Sequence, residues 1–419
     1  MKKTLTSLLA LILFTTMGVA QIRPYDKSGL NVFEPKKENL VPFEKFKLKF
    51  GGSFTQSFQT LEHSNTSTAT TNIVAIVPGF NTANANLYLD AYLADGVTLN
   101  MTLYLSSRHH NETWVKGGYL QFDKIPFLNS GLIDRIMEFT TIKVGHMEIN
   151  YGDAHFRRSD NGNSIYNPFI ENYIMDAFTT EIGAEFNFEH KSFLGVVGIT
   201  NGKIKGDIAK GVIYTGGSDG KSRPAFIGKI GFDKQLNEKV RLRITGSGYY
   251  TAGSISNTLY GGDRAGSHYF GVMDNSLATT VFTSGRFNPG FTDKIGSVMG
   301  NAFLKVGGFE WFTTLEGAKG RNKTETIERK ANQFATDVVY RFGKNENFWL
   351  GGRYNSVSSV LSGNDIDISR IAVSGGWFLT KNIMTKLEYV SQQYKGFPAS
   401  DLRNGGKFNG FVLEAVIGF

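Results

Sequence analysis

The 419-residue chain predicts an all-β fold: a transmembrane antiparallel β-barrel of about sixteen strands (eighteen at most), with long outer loops and short periplasmic turns. Three observations predict it. At the end of the chain Phe411, Leu413, Ala415, Ile417 and Phe419 alternate with Gly410, Val412, Glu414, Val416 and Gly418, so one face is apolar and the other small and mixed. Similar dyads recur along the chain. The connections between them alternate between long and short. Successive strand side chains point to opposite faces, so a strand with lipid outside and water inside reads this way.

The front of the chain is consistent with an envelope location. Lys2 and Lys3 precede a mostly apolar stretch, 5–14, and the small residues Gly18-Val19-Ala20. This reads as a signal peptide, 1–20, cleaved after Ala20. Its apolar core is too short to cross a bilayer core of about 30 Å. Residues 21–44 hold Pro24, Pro35 and Pro42 with mixed charge, and are expected in the periplasm or folded into the barrel mouth. Residues 45–419 form the barrel. The absence of cysteine excludes disulfides, thiol catalysis and Cys-ligated metals. Abundant glycine (49) and aromatics (13%) with only 9 prolines suit many short strands. The formal charge of +8 falls to +6 once Lys2 and Lys3 are lost.

Individual strands follow. Leu87, Leu89, Ala91 and Leu93 alternate with Tyr88, Asp90 and Tyr92, and Asp95-Gly96 turns the chain into Val97, Leu99, Met101, Leu103 and Leu105. Ile182, Ala184, Phe186 and Phe188 alternate with acidic and small residues, and Val240, Leu242 and Ile244 with Arg241 and Arg243. A soluble sandwich shows the same dyads; the leader and the C-terminal strand decide for the barrel. The predicted connections are long at 59–85, 148–180 and 202–224, moderate at 107–114 and 359–368, and short at 95–96, 190–192, 234–238, 343–347 and 379–382. Segments 318–331 and 394–408 join later strands. The short ones share one rim, apart from an intermediate 124–138. With both ends on that rim the strand number is even: sixteen, or eighteen if 252–298 hides a hairpin.

The connection 149–173 concentrates charge: Asp153, His155, Arg157, Arg158, Asp160 and Glu171. It reads as a solvated surface loop, as a segment folded inward to narrow a channel, or as a metal or catalytic site. Asp153 and His155 could ligate a cation, but Arg157 and Arg158 would oppose one. Asp153, His155, Arg157 and Arg158 are thus the candidate channel constriction. Taking the polar dyad partner as inward, the lumen wall carries Lys47, Lys49, Lys143, Lys229, Arg241, Arg243, Arg341, Arg353, Arg370 and Lys386, with Asp90, Glu181, Glu185, Asp337, Glu388 and Glu414. Rings of Arg and Lys favour anions, and a focused positive potential enriches them at a mouth. The competing reading is that the bases pair with carboxylates across strands. His109-His110 reads as surface. No catalytic, metal or cofactor motif is found, and no basic groove with stacking aromatics points to nucleic acid.

Two stretches resemble known proteins. A strand ending on a terminal aromatic, here Phe419, resembles those of bacterial outer-membrane barrels, in which that residue is a common signal to the barrel-assembly machinery. The strand Ile142-Lys143-Val144-Gly145-His146-Met147-Glu148 with Asn150-Tyr151-Gly152-Asp153 resembles the phosphate-selective porin O and P family, and the Gly-Asp-Ala-His-Phe-Arg-Arg run is similar to its Bacteroidetes branch. The resemblance covers about thirty residues. It implies a sixteen-stranded, trimeric, anion-preferring channel, with Arg157 and Arg158 the nearest basic candidates for a phosphate preference. The expected function is passive diffusion of small hydrophilic, chiefly anionic solutes across the outer membrane, without covalent chemistry. A specific transporter, a structural barrel and, last, a barrel enzyme are the alternatives.

Overall fold

The computed structural model describes residues 23–34, 36–37, 42–105, 113–159, 163–206, 208–261, 266–277 and 283–419; the expected signal peptide, 1–20, and His109-His110 lie outside them. Sixteen long strands form one antiparallel sheet: β1 Lys47–Ser64, β2 Asn84–Ala94, β3 Val97–Leu105, β4 Trp114–Phe122, β5 Thr140–Glu148, β6 Thr180–His190, β7 Phe193–Thr200 and β8 Ala225–Gln235. The second half comprises β9 Val240–Thr251, β10 Lys294–Val306, β11 Phe309–Arg321, β12 Arg329–Phe342, β13 Phe348–Leu361, β14 Asn364–Phe378, β15 Ile383–Lys395 and β16 Lys407–Gly418. Each pairs with its chain neighbour, and β1 closes the ring on β16 from Ser53↔Gly418 to Ser64↔Lys407. The other edge of β1 pairs with β2 from Lys47↔Tyr92 to Thr55↔Asn84. Where β1 runs past β2, the two-residue strand Gly79–Phe80 takes over opposite Phe58 and Gln59. Closure removes every free edge, as a sheet exposed to lipid requires.

The dyads place the outside. In β16 Phe411 and Leu413 are 48% and 49% exposed, whereas Val412, Glu414 and Val416 are fully buried. Ile244, Val298, Leu315, Leu350, Ile371 and Leu387 continue the exposed apolar skin around the ring. No helix among the described residues is long and apolar enough to cross a membrane; the strands do so. Tight connections lie on one rim, the turn side, at 95–96, 191–192, 236–239, 307–308, 343–347 and 379–382. The longer 123–139 connection on that side carries a short helix, α1 Gly131–Met137.

The expected count of sixteen strands stands: the described residues of 252–293 contain no strand, 294–298 belong to β10, and the eighteen-strand alternative falls. Two expectations change. The connection expected at 359–368 is only Ser362-Gly363, both at positive φ (50° and 78°), a tight turn that joins the 14-residue β13 to the 15-residue β14. The loop expected from residue 59 starts only after Ser64, because β1 continues along β16.

The apolar core lies within the ring. Ile170 and Ile174 from 149–179, with Tyr260, Val272, Phe287 and Phe291 from 252–293, pack against Ile227, Met299, Val390 and Val412 of the wall. Both loop-side connections fold inward and fill the half of the lumen bounded by β8–β16.

Candidate functional site: a partly filled lumen

The 149–179 insert turns into the lumen at Gly152, whose φ is +72° and where a Cβ would lie 2.2 Å from Met299 Sδ. Only glycine meets both demands. The insert has no ladder of its own, so its buried backbone must be satisfied by the wall. Ser247 Oγ accepts from Gly152 N (2.9 Å), Asn301 Oδ1 from Asp153 N (2.9 Å), Glu388 from Ile170 N (2.8 Å), Asn355 from Ile174 N (2.6 Å) and Gln333 from Met175 N (2.9 Å). Carbonyls are met by Lys386 (Phe169 O, 2.8 Å), Arg353 (Glu171 O, 2.7 Å) and Arg370 (Asn172 O, 2.7 Å). The 252–293 insert is tied to the first through Arg286–Glu171 (2.7 Å), while His268 reaches Glu414 of β16 (2.6 Å). Burial disfavours the Glu171 charge, but Arg286, His268 and Arg370 outweigh it and hold its carboxyl at about 2.

Residues 23–34 enter from the turn side. Lys27 N donates to Lys381 O (2.8 Å), and Lys27 Nζ to Asn347 Oδ1 (2.6 Å), both in turn-side connections. The Tyr25 ring stacks on Tyr88 of β2 at 3.7 Å, and the Arg23 guanidinium lies 3.4 Å over the Tyr166 ring. Asn31 Nδ2 donates to Glu310 (2.7 Å), and Phe33 is buried against Phe156 and Phe303. The mouth thus holds a polar and aromatic segment of the chain's own N-terminal part.

What remains open is eccentric: a cavity of about 680 Å³ between these segments and the β2–β8 wall. It extends from Asp123 and Lys191 at the turn side to Thr180, and Asn100, Thr102, Lys116, Tyr119, Lys143 and His146 line its wall. Nine Lys or Arg side chains border it against six Asp or Glu, an excess of three positive charges.

The four constriction candidates separate. Asp153 accepts from Arg243 Nε and Nη2 (both 2.8 Å) and from Thr245 Oγ1 (2.8 Å), and lies 2.6 Å from Lys229 Nζ. Burial disfavours its charge, but Lys229 and Arg243 prevail and hold its carboxyl at about 2. His155 turns instead to Glu148 (2.5 Å) and Asn150 (3.1 Å). The two share no cation position, and no cluster of three potential metal ligands occurs among the described residues. Arg157 is buried between the Phe303 and Phe312 rings, 3.7 Å from Glu310 and away from the cavity. Arg158 reaches the cavity, but its guanidinium grips Asp176 (3.2 and 2.5 Å) over the Phe178 ring.

The ten wall bases divide by position. Lys47 is exposed at the turn-side rim, and Lys49 Nζ lies 5.8 Å from the Tyr25 ring. Lys143 borders the cavity 3.3 Å from Glu185, and Arg241 pairs with Asp233 at 2.6 Å. Lys229 and Arg243 meet Asp153 and Glu34. Arg341 pairs with Glu310 (2.8 Å), Arg353 with Asp337 (2.7 Å) and Lys386 with Glu414 (2.9 Å), while Arg370 donates to Gln392 (2.6 Å). Arg353, Arg370 and Lys386 hold insert backbone, Arg341 is spent on Glu310, and none of these four borders the cavity.

Sequence reasoning missed Lys116 and, while offering the barrel mouth as one place for 21–44, named no site residue within that segment. Lys116 is the extra residue of a β-bulge: Thr102 pairs with Gly117 and Leu103 with Val115, leaving it unopposed. A bulge re-aims one side chain and breaks the parity that dyad reading depends on. Its Nζ points inward, 4.7 Å from the Phe178 ring.

No family model and no curated protein matches the chain. Solved structures do. The chain is similar to an anion-selective porin from Comamonas acidovorans (TM-score 0.54, 11% identity, 90% of this chain and 100% of that one). It is also similar to a loop-deletion mutant of OmpT, an outer membrane protein of Vibrio cholerae (0.52, 11%, 90% and 100%), and to the outer membrane channel DcaP of Acinetobacter baumannii (0.51, 11%, 91% and 100%). At these identities the likeness is one of fold, and the fold is that of a closed sixteen-stranded outer-membrane barrel.

Proposed function

We propose that the protein is an outer-membrane porin that passes small hydrophilic solutes, with a preference for anions, along the eccentric cavity. The observation that carries this is the lining: nine bases against six acids, inside a barrel whose exterior is an apolar skin. Cations and amide donors along a narrow low-dielectric passage favour anions. The turn side faces the periplasm in this reading, and three copies assemble, as in the structure described as a trimer form of Vibrio cholerae OmpT. The inserts narrow the barrel, so conductance should be small for sixteen strands. The decisive measurement is the reversal potential in a planar bilayer under a potassium chloride gradient. Anion preference predicts the sign set by chloride; zero or cation-selective reversal sinks it. Phosphate preference, which the 142–153 segment favours, predicts that millimolar phosphate lowers the chloride current.

A further inference from the structure

The cavity contains a carboxylate that the chain supplies to itself. Glu34 Oε1 accepts from Lys229 Nζ (2.9 Å) and Asn150 Nδ2 (3.0 Å), and Oε2 accepts from Arg243 Nη2 (2.7 Å). The donors belong to β8, β9 and the start of the 149–179 insert; only the acceptor comes from the N-terminal segment. We propose that Lys229, Arg243 and Asn150 form a binding site for a free monocarboxylate, and that Glu34 is a tethered occupant which such a solute displaces.

The site is set independently of its occupant. Asp153 and Thr245 engage each other, and Asp153 fixes the Arg243 fork through Nε and Nη2. The Asn150 amide is oriented by its Oδ1, which accepts from Lys229 Nζ (2.8 Å) and lies 3.1 Å from His155 Nε2. Its NH2 therefore stays directed at the Glu34 position. With Glu34 withdrawn, the three cations Lys229, Arg241 and Arg243 share the two carboxylates Asp153 and Asp233, Arg243 Nη1 donating to Asp233 at 3.1 Å. One positive charge is left uncompensated at a buried position. That charge, the ammonium, one guanidinium N–H from Nη2 and an amide N–H match a monoanionic carboxylate better than a dianion. Glu34, Asn150, Arg241 and Arg243 all border the cavity, so a solute in transit reaches them.

The assignment deepens the channel reading and rests on it, but its test need not use conductance. Calorimetric titration of the full-length Glu34→Ala protein in detergent with sodium acetate should show saturable binding, one per chain. The wild type should bind at least about tenfold more weakly. In the Glu34→Ala background, Arg243→Lys should weaken acetate binding, because a lysine keeps the charge but cannot both hold Asp153 bidentately and aim an N–H at the Glu34 position. Absence of saturable binding to Glu34→Ala overturns the site. Equal binding by the wild type overturns Glu34 as its occupant, and tighter binding of inorganic phosphate overturns the carboxylate assignment. A second measurement avoids altering the site. The chain has no cysteine, so Val32→Cys, half-buried two residues before Glu34, gives a single label that the docked segment shields. Acetate, but not nitrate, should speed its reaction with a water-soluble thiol reagent; an unchanged rate overturns displacement. Acetate binding without any bilayer conductance would leave the site standing and remove the channel reading.

Discussion

The ring of Phe419 packs on Gly52, where a Cβ would stand 2.8 Å from the ring's Cζ, and the two backbones exchange both hydrogen bonds at 2.9 Å. The last residue of the chain thereby completes the β1–β16 seam on the outside. Its neighbour Gly51 serves the inside: a Cβ there would stand 2.4 Å from the Tyr25 ring. One Gly-Gly pair makes room for the barrel's closing residue and for the segment that occupies its mouth.

Deletion of Phe419 removes a cross-seam hydrogen-bonded pair and the aromatic at the lipid boundary. The folded, heat-modifiable band in outer-membrane fractions should fall severalfold. Unchanged levels would show that neither the seam nor assembly depends on this residue.

Gly51→Leu should act on the N-terminal segment and spare the barrel. The new side chain needs the volume of Tyr25, so the Tyr25–Tyr88 stack, worth about 0.5–1.5 kcal/mol beyond its buried area, is lost. Heat-modifiability should persist while single-channel conductance rises. Identical conductance would mean that residues 23–34 do not restrict the path.

The outward register was legible because it depends on parity alone. A midplane Leu387→Arg should destabilise the barrel by about 2–4 kcal/mol in a lipid-folding titration. Single cysteines at Leu99, on the outer face, and Thr102, which borders the cavity, should differ in labelling by a water-soluble reagent. Equal labelling would place β3 in another register.

Parity says which side chains point inward and nothing about what they meet there. The bases of β12–β15 read from sequence as a cationic wall, yet Arg353, Arg370 and Lys386 spend their donors on carbonyls of the 149–179 insert. No periodicity in that insert announces this, because its backbone is satisfied by distant side chains and not by a ladder. Region 252–293 was unreadable for the same reason: Tyr260 and Tyr269 reach Glu316 and Glu388 on strands far along the chain. Lys116 was lost to a bulge. The C-terminal strand, a ladder with strict alternation, was read residue by residue.

Acid should release the N-terminal segment. Burial disfavours the Glu34 charge, but Lys229 and Arg243 hold its carboxyl well below the ordinary 4.5. A depressed carboxyl stabilises the docked state fully above its free value, and that stabilisation is lost as pH falls through the depressed one. Labelling of Val32→Cys, assayed with a reagent that reacts in acid, should be flat down to about pH 5 and rise only below 4.5. Glu34→Gln should label faster at neutral pH and lose the acid-dependent rise. A rise centred near pH 6.5 would implicate histidine instead.

The two arginines singled out in the 149–173 stretch should part company in selectivity. Arg158 borders the cavity, and its neutralisation leaves Asp176 with Arg286 alone at 3.3 Å. Arg157 is enclosed by Phe303 and Phe312, behind the N-terminal segment's Asn31. Arg158→Gln should therefore shift the low-salt reversal potential toward cations. The shift should shrink in about 1 M salt, where the screening length is about 3 Å. Arg157→Gln should leave the reversal potential in place and lower stability, because Glu310 loses one of its cationic neighbours in a buried setting and keeps Arg341 at 2.8 Å. Equal shifts in both variants would mean that selectivity follows the summed field of the insert and not the lining of the cavity.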